Sequence, residues 1–275
     1  MIKTALVTGA SSGIGEAIAR QLIGDGYRVY AAARRLERMA ELAGHGARLL
    51  SLDVTDDASM VAAVEAISAE SGRLDVLVNN AGYGSFGSLE ETPLDEGRRQ
   101  FEVNVFGLAR LTQLALPMMR AQQSGTVVNI TSVGGKMYEP LGGWYHASKF
   151  AVEGMSDCLR MEVEPLGIRV IIVEPGAIKT EWSGIARDHV LKVSGAGPYA
   201  DLAQRYARMM TAVEHSTMVS PPQVVAAAVG RALKARRPRT RYVVGGGAPI
   251  ILGLRRMLSD RLFDGFMRLL VRSMS

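Results

Sequence analysis

The sequence of 275 residues contains a single cysteine, Cys158. An intrachain disulfide is therefore excluded, and so is any metal site that needs two or more cysteines. The four histidines, at positions 45, 146, 189 and 215, are scattered and lack the spacing of metal ligands. We predict no metal site, and we interpret Cys158 as a buried helix residue, because free cysteines are usually buried.

The sequence also lacks a long hydrophobic run. No stretch reaches the roughly 18 consecutive apolar residues that a membrane-spanning helix needs. The first residues, MIKTALVTG, lead at once into a strand pattern and a glycine turn, without the features of a secretory signal. From these two observations we predict a cytoplasmic protein. With 48% hydrophobic and 21% charged residues, the composition is that of an ordinary globular protein, and the length suffices for a large core.

The positive charge is unevenly distributed. The formal net charge is +5, and basic residues gather in KARRPRTR (234–241) and LRRMLSDRLF (254–263). No nucleic-acid recognition motif accompanies them, so we predict no nucleic-acid partner. In residues 251–274 apolar and basic residues alternate at helical spacing. Such a segment can lie on an anionic membrane surface, or pack over a substrate cleft or a partner subunit, and we favour packing.

Short apolar runs alternate with helical patterns along the chain. Strand patterns stand at 4–8, 27–33, 48–54, 74–82, 125–132, 168–176 and 241–245, and helical patterns at 15–26, 56–72, about 95–122, 144–164 and from Pro221 onwards. Strands that are apolar on both faces and alternate with helices predict an α/β fold with a doubly wound parallel sheet, the Rossmann fold. No linker or repeat interrupts the pattern, so we predict one domain over residues 1–275.

Two segments lie outside this alternation. Residues 177–220 are rich in Met, Gly and Ser and less regular, and we predict that they form a mobile substrate lid. Several of their side chains either line an apolar pocket or only pack the lid; these are Trp182, Tyr199, Met209, Met210 and Met218. Trp144 is a further candidate for the cleft wall. Residues 248–275 are predicted to form a helical C-terminal extension.

The first strand is followed by TGASSGIG (8–15), which opens the first helix. Glycines in such a turn let the backbone bend tightly and let a pyrophosphate approach the helix N-terminus. The turn therefore predicts a dinucleotide site. Its candidate binding residues are Gly9, Ser11, Ser12, Gly13, Ile14 and Gly15.

The residues after the second strand indicate which dinucleotide binds. Many dinucleotide sites place a carboxylate there for the ribose hydroxyls, whereas this chain places Arg34 and Arg35. Because a guanidinium matches a phosphate in charge and geometry, we predict NADP(H) rather than NAD(H). The alternative is that both arginines are the solvated start of a helix.

Two further strand ends belong to the predicted nucleotide site. Asp53 and Val54 end the third strand, and Asp53 either accepts a hydrogen bond from an adenine amino group or serves as a turn residue. The fourth strand ends in NNAG (79–82). There the small residues allow close approach of a ligand to the backbone of Asn80, Ala81 and Gly82.

The sequence YHASK (145–149) places a phenol and an ammonium one helical turn apart, on one face. Alone, this spacing is common on helix surfaces. Ser132 closes the fifth strand upstream of it. Asn104 lies inside the long helix, where an asparagine is unfavourable and therefore needs a polar task.

Taken together, TGASSGIG, NNAG, Asn104, Ser132, YHASK and PG (175–176) resemble the short-chain dehydrogenase/reductase family in order and spacing, over residues 4 to about 180. The likeness is to the shorter, single-domain branch, and more loosely to 17β-hydroxysteroid and retinol dehydrogenases. It implies an NADP(H)-dependent oxidoreductase that interconverts an alcohol and its ketone or aldehyde. It also implies a small-molecule substrate and a homodimer or homotetramer.

The resemblance assigns roles to the polar residues. It implies that Tyr145 is the general acid/base and that Lys149 holds the nicotinamide ribose. Because a nearby cation stabilises a phenolate, Lys149 is also expected to lower the pKa of Tyr145 from its ordinary value of about 10. Ser132 is expected to bond the substrate oxygen, and Asn104 to support a water leading to Lys149. His146 is interpreted as a filler position.

The segment after the sixth strand completes the predicted cofactor site. The resemblance implies that VEPG, with Pro175 and Gly176, closes over the nicotinamide, and that Thr180 bonds its carboxamide. Ile178 is a further candidate contact.

The substrate is less determined than the reaction. The long, basic C-terminus favours a lipophilic alcohol or ketone that is steroid-, retinoid- or lipid-like. One alternative is a 3-oxoacyl-thioester (acyl-carrier-protein) reductase, but those relatives usually stop soon after the last strand. An alternative of another class is a non-catalytic NADP-binding sensor or scaffold on the same fold.

Overall fold

The computed structural model describes residues 2–273, which form a seven-stranded sheet with helices on both faces. All neighbouring strands are parallel, in the order β3-β2-β1-β4-β5-β6-β7. The strands are β1 Thr4–Thr8, β2 Arg28–Ala33, β3 Arg48–Ser51, β4 Val76–Asn79, β5 Gly125–Ile130, β6 Ile168–Pro175 and β7 Arg241–Val244. The strand order reverses between β1 and β4, and this reversal opens a crevice at the C-terminal edge of the sheet. The predicted doubly wound parallel sheet is confirmed.

The helices follow the strands as crossover connections. They are α1 Gly13–Gly24, α2 Ala40–Gly44, α3 Asp57–Ser71, α4 Leu94–Phe101, α5 Gly107–Ala121, α6 Gly143–Val163, α7 Trp182–Ser194, α8 Ala200–Glu214, α9 Gln223–Lys234, α10 Ala248–Met257 and α11 Asp260–Ser273. Short 3₁₀ turns occur at Leu36–Met39, Val133–Gly135 and Glu164–Leu166. The turn at 36–39 and α2 occupy a stretch for which the sequence patterns predicted no element.

Two apolar layers hold the helices to the sheet. Alternate strand residues such as Val7 and Val78 pack against α1 and α9, and the others, such as Leu6 and Leu77, pack against α3 and α5. All four are fully buried. Each such side chain contributes roughly 1.5–3 kcal/mol through burial. The continuous apolar runs of the strands are explained by this two-sided packing.

The long helix predicted at about 95–122 has a π-helical turn in its middle. Residues Glu102–Phe106 form this turn between α4 and α5. Asn104 lies at its centre and is 2% exposed. A π turn inserts an extra residue into a helix and often marks a functional position. The asparagine that the helix propensity disfavours therefore coincides with a local break in the α-helix.

Two sequence-based expectations are wrong. Residues 177–220 are not irregular, because α7 and α8 occupy most of them, and buried Ala186, Val190, Ala203 and Tyr206 join them in one cluster. Cys158 is exposed, not buried, because it lies on the solvent side of α6. The assignment of the chain to one domain, and the lid role of 177–220, stay predictions.

The C-terminal helices pack onto the body of the protein. Phe263 and Met267 of α11 are buried against Met137, and Ile251 and Leu258 join the same cluster. Tyr138 donates to Asp264 at 3.0 Å, which ties the tail to the loop after β5. This agrees with the favoured packing of the extension. Within residues 2–273 no helix combines the length and the apolar character needed to cross a bilayer.

A buried charge cluster joins α6 to β6 and β7. Glu153 and Glu174 are each 2% exposed. Arg241 donates to Glu153 Oε2 at 3.1 Å, and its Nε lies 3.2 Å from Glu174 Oε1 without hydrogen-bond geometry. Lys136 Nζ lies 3.1 Å from Glu153 Oε2. Burial and the charge of Glu153 raise the pKa of Glu174 to about 7, although Arg241 and Lys136 act in the opposite direction.

We predict that Glu174→Gln stabilises the protein at alkaline pH. A carboxyl whose folded-state pKa is raised stabilises the fold below its ordinary pKa, and this contribution is lost as the pH rises through about 7. The variant should match the wild type near pH 5 and exceed it by about 1–3 kcal/mol at pH 8. Thermal unfolding at both pH values measures this. The exposed Glu65→Gln is the control, and a wild type more stable than Glu174→Gln at pH 8 contradicts the prediction.

Candidate active site

Thr8 and Asn80 shape the crevice where β1 and β4 separate. The Thr8 hydroxyl accepts hydrogen bonds from the backbone N–H groups of Asn80 and Ala81, both at 3.0 Å, and donates to Val78 O at 3.2 Å. The Asn80 amide donates back to Thr8 O at 3.0 Å. These bonds fix the relative positions of the two loops that leave the strands.

The glycine turn after β1 has no room for side chains. A Cβ added at Gly15 would lie 2.2 Å from Gly9 O, and one added at Gly13 would lie 3.0 Å from Thr180 Cγ2. Gly9 and Gly13 also have positive φ angles of 65° and 56°. The turn therefore requires glycine for its conformation and for its contacts, as the spacing predicted.

The N-terminus of α1 is open toward a ligand. Its N-cap residue, Ser12, makes no side-chain hydrogen bond to the helix. The first N–H groups of α1 are therefore not occupied by a capping side chain. Such a terminus carries partial positive charge and suits an anion. Arg34 and Arg35 are exposed beside it and line the same cavity. The donor set fits the phosphates of a dinucleotide that carries an additional phosphate.

Asp53 is a turn residue that also faces the cavity. Its Oδ1 accepts from the Thr55 N–H at 3.0 Å and from the Thr55 hydroxyl at 2.8 Å. Burial opposes ionisation, but these bonds and the charges of Arg34 and Arg99 lower the pKa of Asp53. Of the two alternatives for Asp53, the turn role is observed, and the carboxylate stays ionised at the cavity wall.

One cavity of about 1110 Å³ unites the predicted site residues. Those that line it are Gly9, Ser11, Ser12, Gly13, Ile14, Arg34, Arg35, Asp53, Val54, Asn80, Ala81, Gly82, Ser132, Tyr145, Lys149, Pro175, Gly176, Ile178 and Thr180. Gly15 and Asn104 are not in the wall. Gly15 closes the turn behind Gly9, and Asn104 lies one layer further back.

Asn104 holds the loop that follows β4. Its amide nitrogen donates to Tyr83 O at 2.9 Å and to Ser148 Oγ at 3.0 Å, and its Oδ1 accepts from the Tyr83 N–H at 3.0 Å. Ser148 in turn donates to Tyr145 O at 2.8 Å. The polar task expected for Asn104 is thus a structural link between this loop and α6. Its predicted role toward a water and Lys149 stays a prediction.

Tyr145 lies in an aromatic enclosure. Its ring centroid is 5.4 Å from that of Phe86 and 5.2 Å from that of Trp182. Burial raises the pKa of the Tyr145 phenol to about 12; a hydrogen bond with Ser132 lowers this pKa, and the charge of Glu139 raises it further. The phenol is therefore neutral in the protein alone.

Lys149 follows Tyr145 on the same face of α6. Its ammonium donates to Ile130 O at 3.1 Å. Burial lowers the pKa of Lys149 to about 8, and the charge of Glu153 raises it. In the chain on its own, burial dominates the pKa of both groups, and Ser132 supplies the interaction that lowers the pKa of Tyr145. The expected lowering of this pKa by Lys149 stays a prediction.

Ser132 presents a hydroxyl to the cavity next to Tyr145. It follows β5 and caps the 3₁₀ turn at Val133–Gly135, where its Oγ accepts from the Gly134 N–H at 3.0 Å. The bond from Gly134 uses only a lone pair of Oγ, so the hydroxyl hydrogen can be donated to Tyr145 or to a ligand oxygen. Ser132 can therefore donate to an oxygen placed beside Tyr145.

The other end of the cavity is apolar. Its wall includes side chains from the segment 177–220 and from the C-terminal helices, namely Trp182, Ile185, Met209, Met210, Val213, Met218, Ile250, Ile251, Leu254, Phe266, Met267 and Leu270. Two aromatic candidates, Tyr199 and Trp144, do not line the cavity. Tyr199 instead donates to Glu90, and Trp144 packs edge-on against Phe101 at 6.2 Å.

Sequence patterns missed several lining residues. Tyr206, Glu139 and Arg99 line the cavity without belonging to any motif. His146, interpreted as a filler position, lines it too and is 5% exposed. Glu139 lies in a loop whose course the strand and helix patterns do not specify, so its position had no sequence signal. The only sequence feature that could have indicated His146 is its position next to Tyr145.

A parallel doubly wound sheet, a glycine cradle at the strand-order reversal and a buried Tyr–Lys pair together define the class of nucleotide-dependent oxidoreductases. A family model described as short chain dehydrogenase matches residues 3–190. The chain therefore belongs to the short-chain dehydrogenase/reductase family and is an oxidoreductase. The narrower likeness to 17β-hydroxysteroid and retinol dehydrogenases stays a prediction.

Individual proteins resemble the chain over most of its length. An NADPH-dependent 3-dehydrocapnine reductase from Ornithobacterium rhinotracheale is 36% identical and aligns with 96% of this chain and 95% of its own. A 3-ketodihydrosphingosine reductase from Bacteroides thetaiotaomicron is 37% identical, with 87% of each chain covered. The crystal structure of a short-chain dehydrogenase from Streptomyces avermitilis has 37% identity and a TM-score of 0.82, with 100% and 99% coverage.

We predict that Gly15→Ala destabilises the protein, because the new methyl group would lie 2.2 Å from a backbone oxygen that cannot easily move. Overpacking of this kind costs about 1–3 kcal/mol, measured by denaturant unfolding. Gly24→Ala, on the same helix, is the matched control because no atom lies within 4 Å of its added Cβ. Its stability should be unchanged or slightly higher. Equal stability of both variants is the contrary result.

Proposed function

We propose that this protein is an NADP(H)-dependent enzyme that interconverts a ketone on a long apolar chain and the corresponding alcohol. The observation that carries the proposal is the single cavity with a nucleotide-like cradle at one end, an apolar wall at the other, and Tyr145 with Ser132 between them. The names of the two relatives, with "3-keto" and "3-dehydro", support a ketone as the oxidised substrate.

The cofactor site is proposed from the residues at the polar end. The α1 N-terminus and the glycine turn would hold the pyrophosphate, and Arg34 and Arg35 the 2′-phosphate. Lys149 would hold the nicotinamide ribose and Thr180 the carboxamide. Bound NADPH supplies the hydride for reduction, and NADP⁺ accepts it in the reverse direction. The NADPH dependence in the name of the 36% identical relative supports this choice.

The proton is handled by the chain itself. For reduction, Tyr145 must be protonated, and burial favours that neutral form because it raises the pKa of the phenol to about 12. Tyr145 would donate its proton to the substrate oxygen while Ser132 donates a hydrogen bond to the same oxygen. Lys149, whose pKa burial lowers to about 8, can then return a proton toward Tyr145 near neutral pH.

The apolar end argues for a lipid rather than a thioester on a carrier protein. Six side chains of the C-terminal helices line it, and the enzymes of the alternative class usually lack this extension. The alternative of a non-catalytic sensor is disfavoured, because a binding protein has no need for Tyr145, Ser132 and Lys149 in one cavity. We further propose that α7 and α8 act as the lid. A homodimer or homotetramer and a cytoplasmic location stay predictions.

Tyr145→Phe should remove turnover and keep cofactor binding. The phenylalanine keeps the ring contacts with Phe86 and Trp182 and loses only the transferable proton, so kcat should fall by about 10²–10⁴-fold. NADPH oxidation with a long-chain ketone measures kcat, and fluorescence titration measures the Kd of NADPH, which should stay within about threefold. Tyr199→Phe, outside the cavity wall, is the matched control. Retained turnover in Tyr145→Phe refutes the assignment.

The double substitution Arg34→Ala and Arg35→Ala should change cofactor preference. Loss of bonds to a charged phosphate costs about 1.5–3 kcal/mol, so the Kd of NADPH should rise by about 10–100-fold while that of NADH changes little. Both dissociation constants are measured by fluorescence titration. Arg48→Ala is the control, because Arg48 lies on the neighbouring strand β3 and its guanidinium is paired with Glu70 of α3. An equal loss for both nucleotides would mean that the arginines do not contact the 2′-phosphate.

A further inference from the structure

We propose that Glu139 and His146 form a subsite for a substrate ammonium group next to the reacting carbonyl. The preferred substrate would then be an amino ketone, with the amine on a carbon adjacent to the carbonyl and a long apolar chain beyond it. This inference deepens the proposed ketone reduction and rests on it.

Glu139 is a carboxylate without a cationic partner in the substrate half of the cavity. Its side chain is 22% exposed and lines the cavity. No lysine or arginine of residues 2–273 lies within ion-pair distance of it. The hydroxyl of fully buried Tyr206 lies close enough to interact with this carboxylate. A charge without such a counterion is available to a ligand.

His146 supplies a second acceptor at the same place. Its Nδ1 lies 2.9 Å from Gly134 O. A carbonyl can only accept, so in the neutral imidazole the hydrogen is on Nδ1 and Nε2 is an acceptor. Nε2 is buried, has no hydrogen-bond partner among the described residues, and lies 3.8 Å from Glu139 Oε1. Two acceptor atoms therefore lie 3.8 Å apart at the edge of the cavity, with no described donor between them.

An ammonium group satisfies both acceptors at once. It carries three donors and a positive charge, whereas a methylene group would leave Nε2 and the carboxylate unpaired at a cost of about 1–3 kcal/mol each. A hydroxyl has one donor and can satisfy only one of them. The pair of acceptors therefore discriminates in favour of a protonated amine.

The subsite lies beside the reacting group. The rings of Tyr145 and His146 are 5.6 Å apart between centroids, and a Cβ at Gly134 would lie 3.0 Å from Tyr145 Cε1 and 3.1 Å from His146 Nδ1. This proximity sets the amine on a neighbouring carbon rather than at a distance. The charge of Glu139 opposes ionisation of Tyr145, and a bound cation would offset that charge.

The test compares two ketones that differ only in the amine, decan-3-one and 2-aminodecan-3-one, in the wild type and in Glu139→Gln. The wild type should have the higher kcat/KM for the amino ketone, and the ratio of the two kcat/KM values should fall by about 10–100-fold in the variant. Glu214→Gln is the matched control. Glu214 also lines the cavity but is 3.4 Å from Arg187, so its loss should leave the ratio within about twofold.

Binding of decylamine and of decan-1-ol, followed by tryptophan fluorescence without cofactor, separates the two proposals. Tighter binding of decylamine that depends on Glu139 supports the subsite, even if neither ketone is reduced and the proposed reaction is wrong. Reduction of both ketones with equal kcat/KM, together with equal binding of amine and alcohol, overturns the subsite and leaves the proposed reaction standing. An equal effect of Glu139→Gln on both ketones also overturns it, because the carboxylate would then not distinguish the amino ketone from the plain ketone.

Discussion

The reversal of strand order between β1 and β4 is the constraint on which the rest of the site depends. Neighbouring loops diverge only there, and Thr8 holds the divergence by accepting two backbone N–H groups of the opposite loop. The glycine turn can approach the Asn80 side chain closely because Gly9 and Gly15 carry no Cβ there. Since every strand is parallel, Ser132 and the segment from Pro175 leave the sheet at the same edge. Nucleotide cradle and reacting groups are therefore brought together by topology rather than by direct contact between the motifs.

Burial governs the chemistry of the Tyr–Lys pair. It moves the pKa of Tyr145 up to about 12 and that of Lys149 down to about 8, so both groups are pushed toward their neutral forms. A pair with these values is suited to delivering a proton from the phenol, as ketone reduction requires, and poorly suited to forming a phenolate unaided. Charges that arrive with ligands then decide the direction. The isolated helical spacing of the two residues could not have revealed this dependence on the surroundings.

The sequence predicted the parts of the fold that follow from local periodicity. The sequence indicated the strands because they are apolar on both faces, and it indicated the helices α1, α3 and α6 because their apolar residues recur at helical spacing. It indicated the turn at 8–15 because glycines recur there. The helices α7 and α8 were missed because the Met, Gly and Ser content of residues 177–220 suggests irregular structure, although apolar residues of both helices pack into one buried cluster. Cys158 was assigned to the wrong side of α6. The general tendency of cysteine to be buried is weaker than the position of a residue around the helix axis, which decides the side that it faces. The position of Glu139 in the site could not be predicted, because it lies in a loop whose course the sequence patterns do not specify.

The C-terminal segment shows how one amphipathic pattern is resolved by packing. Its apolar residues Phe263 and Met267 are buried against Met137, and others line the cavity, which accounts for half of the pattern. The other half faces solvent, where Arg256, Arg261 and Arg268 lie among exposed apolar residues such as Met257 and Leu262.

The helical period alone cannot distinguish a segment that packs on the protein from one that lies on a membrane surface, because both need one apolar face. What decides between them is the loop after β5, which supplies Met137 and Tyr138 as partners. The same loop carries Glu139, so the segment that anchors the tail also brings to the cavity a carboxylate without a Lys or Arg partner among residues 2–273. The proposed substrate selection is therefore concentrated where this loop, α8 and the tail meet, apart from the glycine cradle that is proposed to bind the nucleotide.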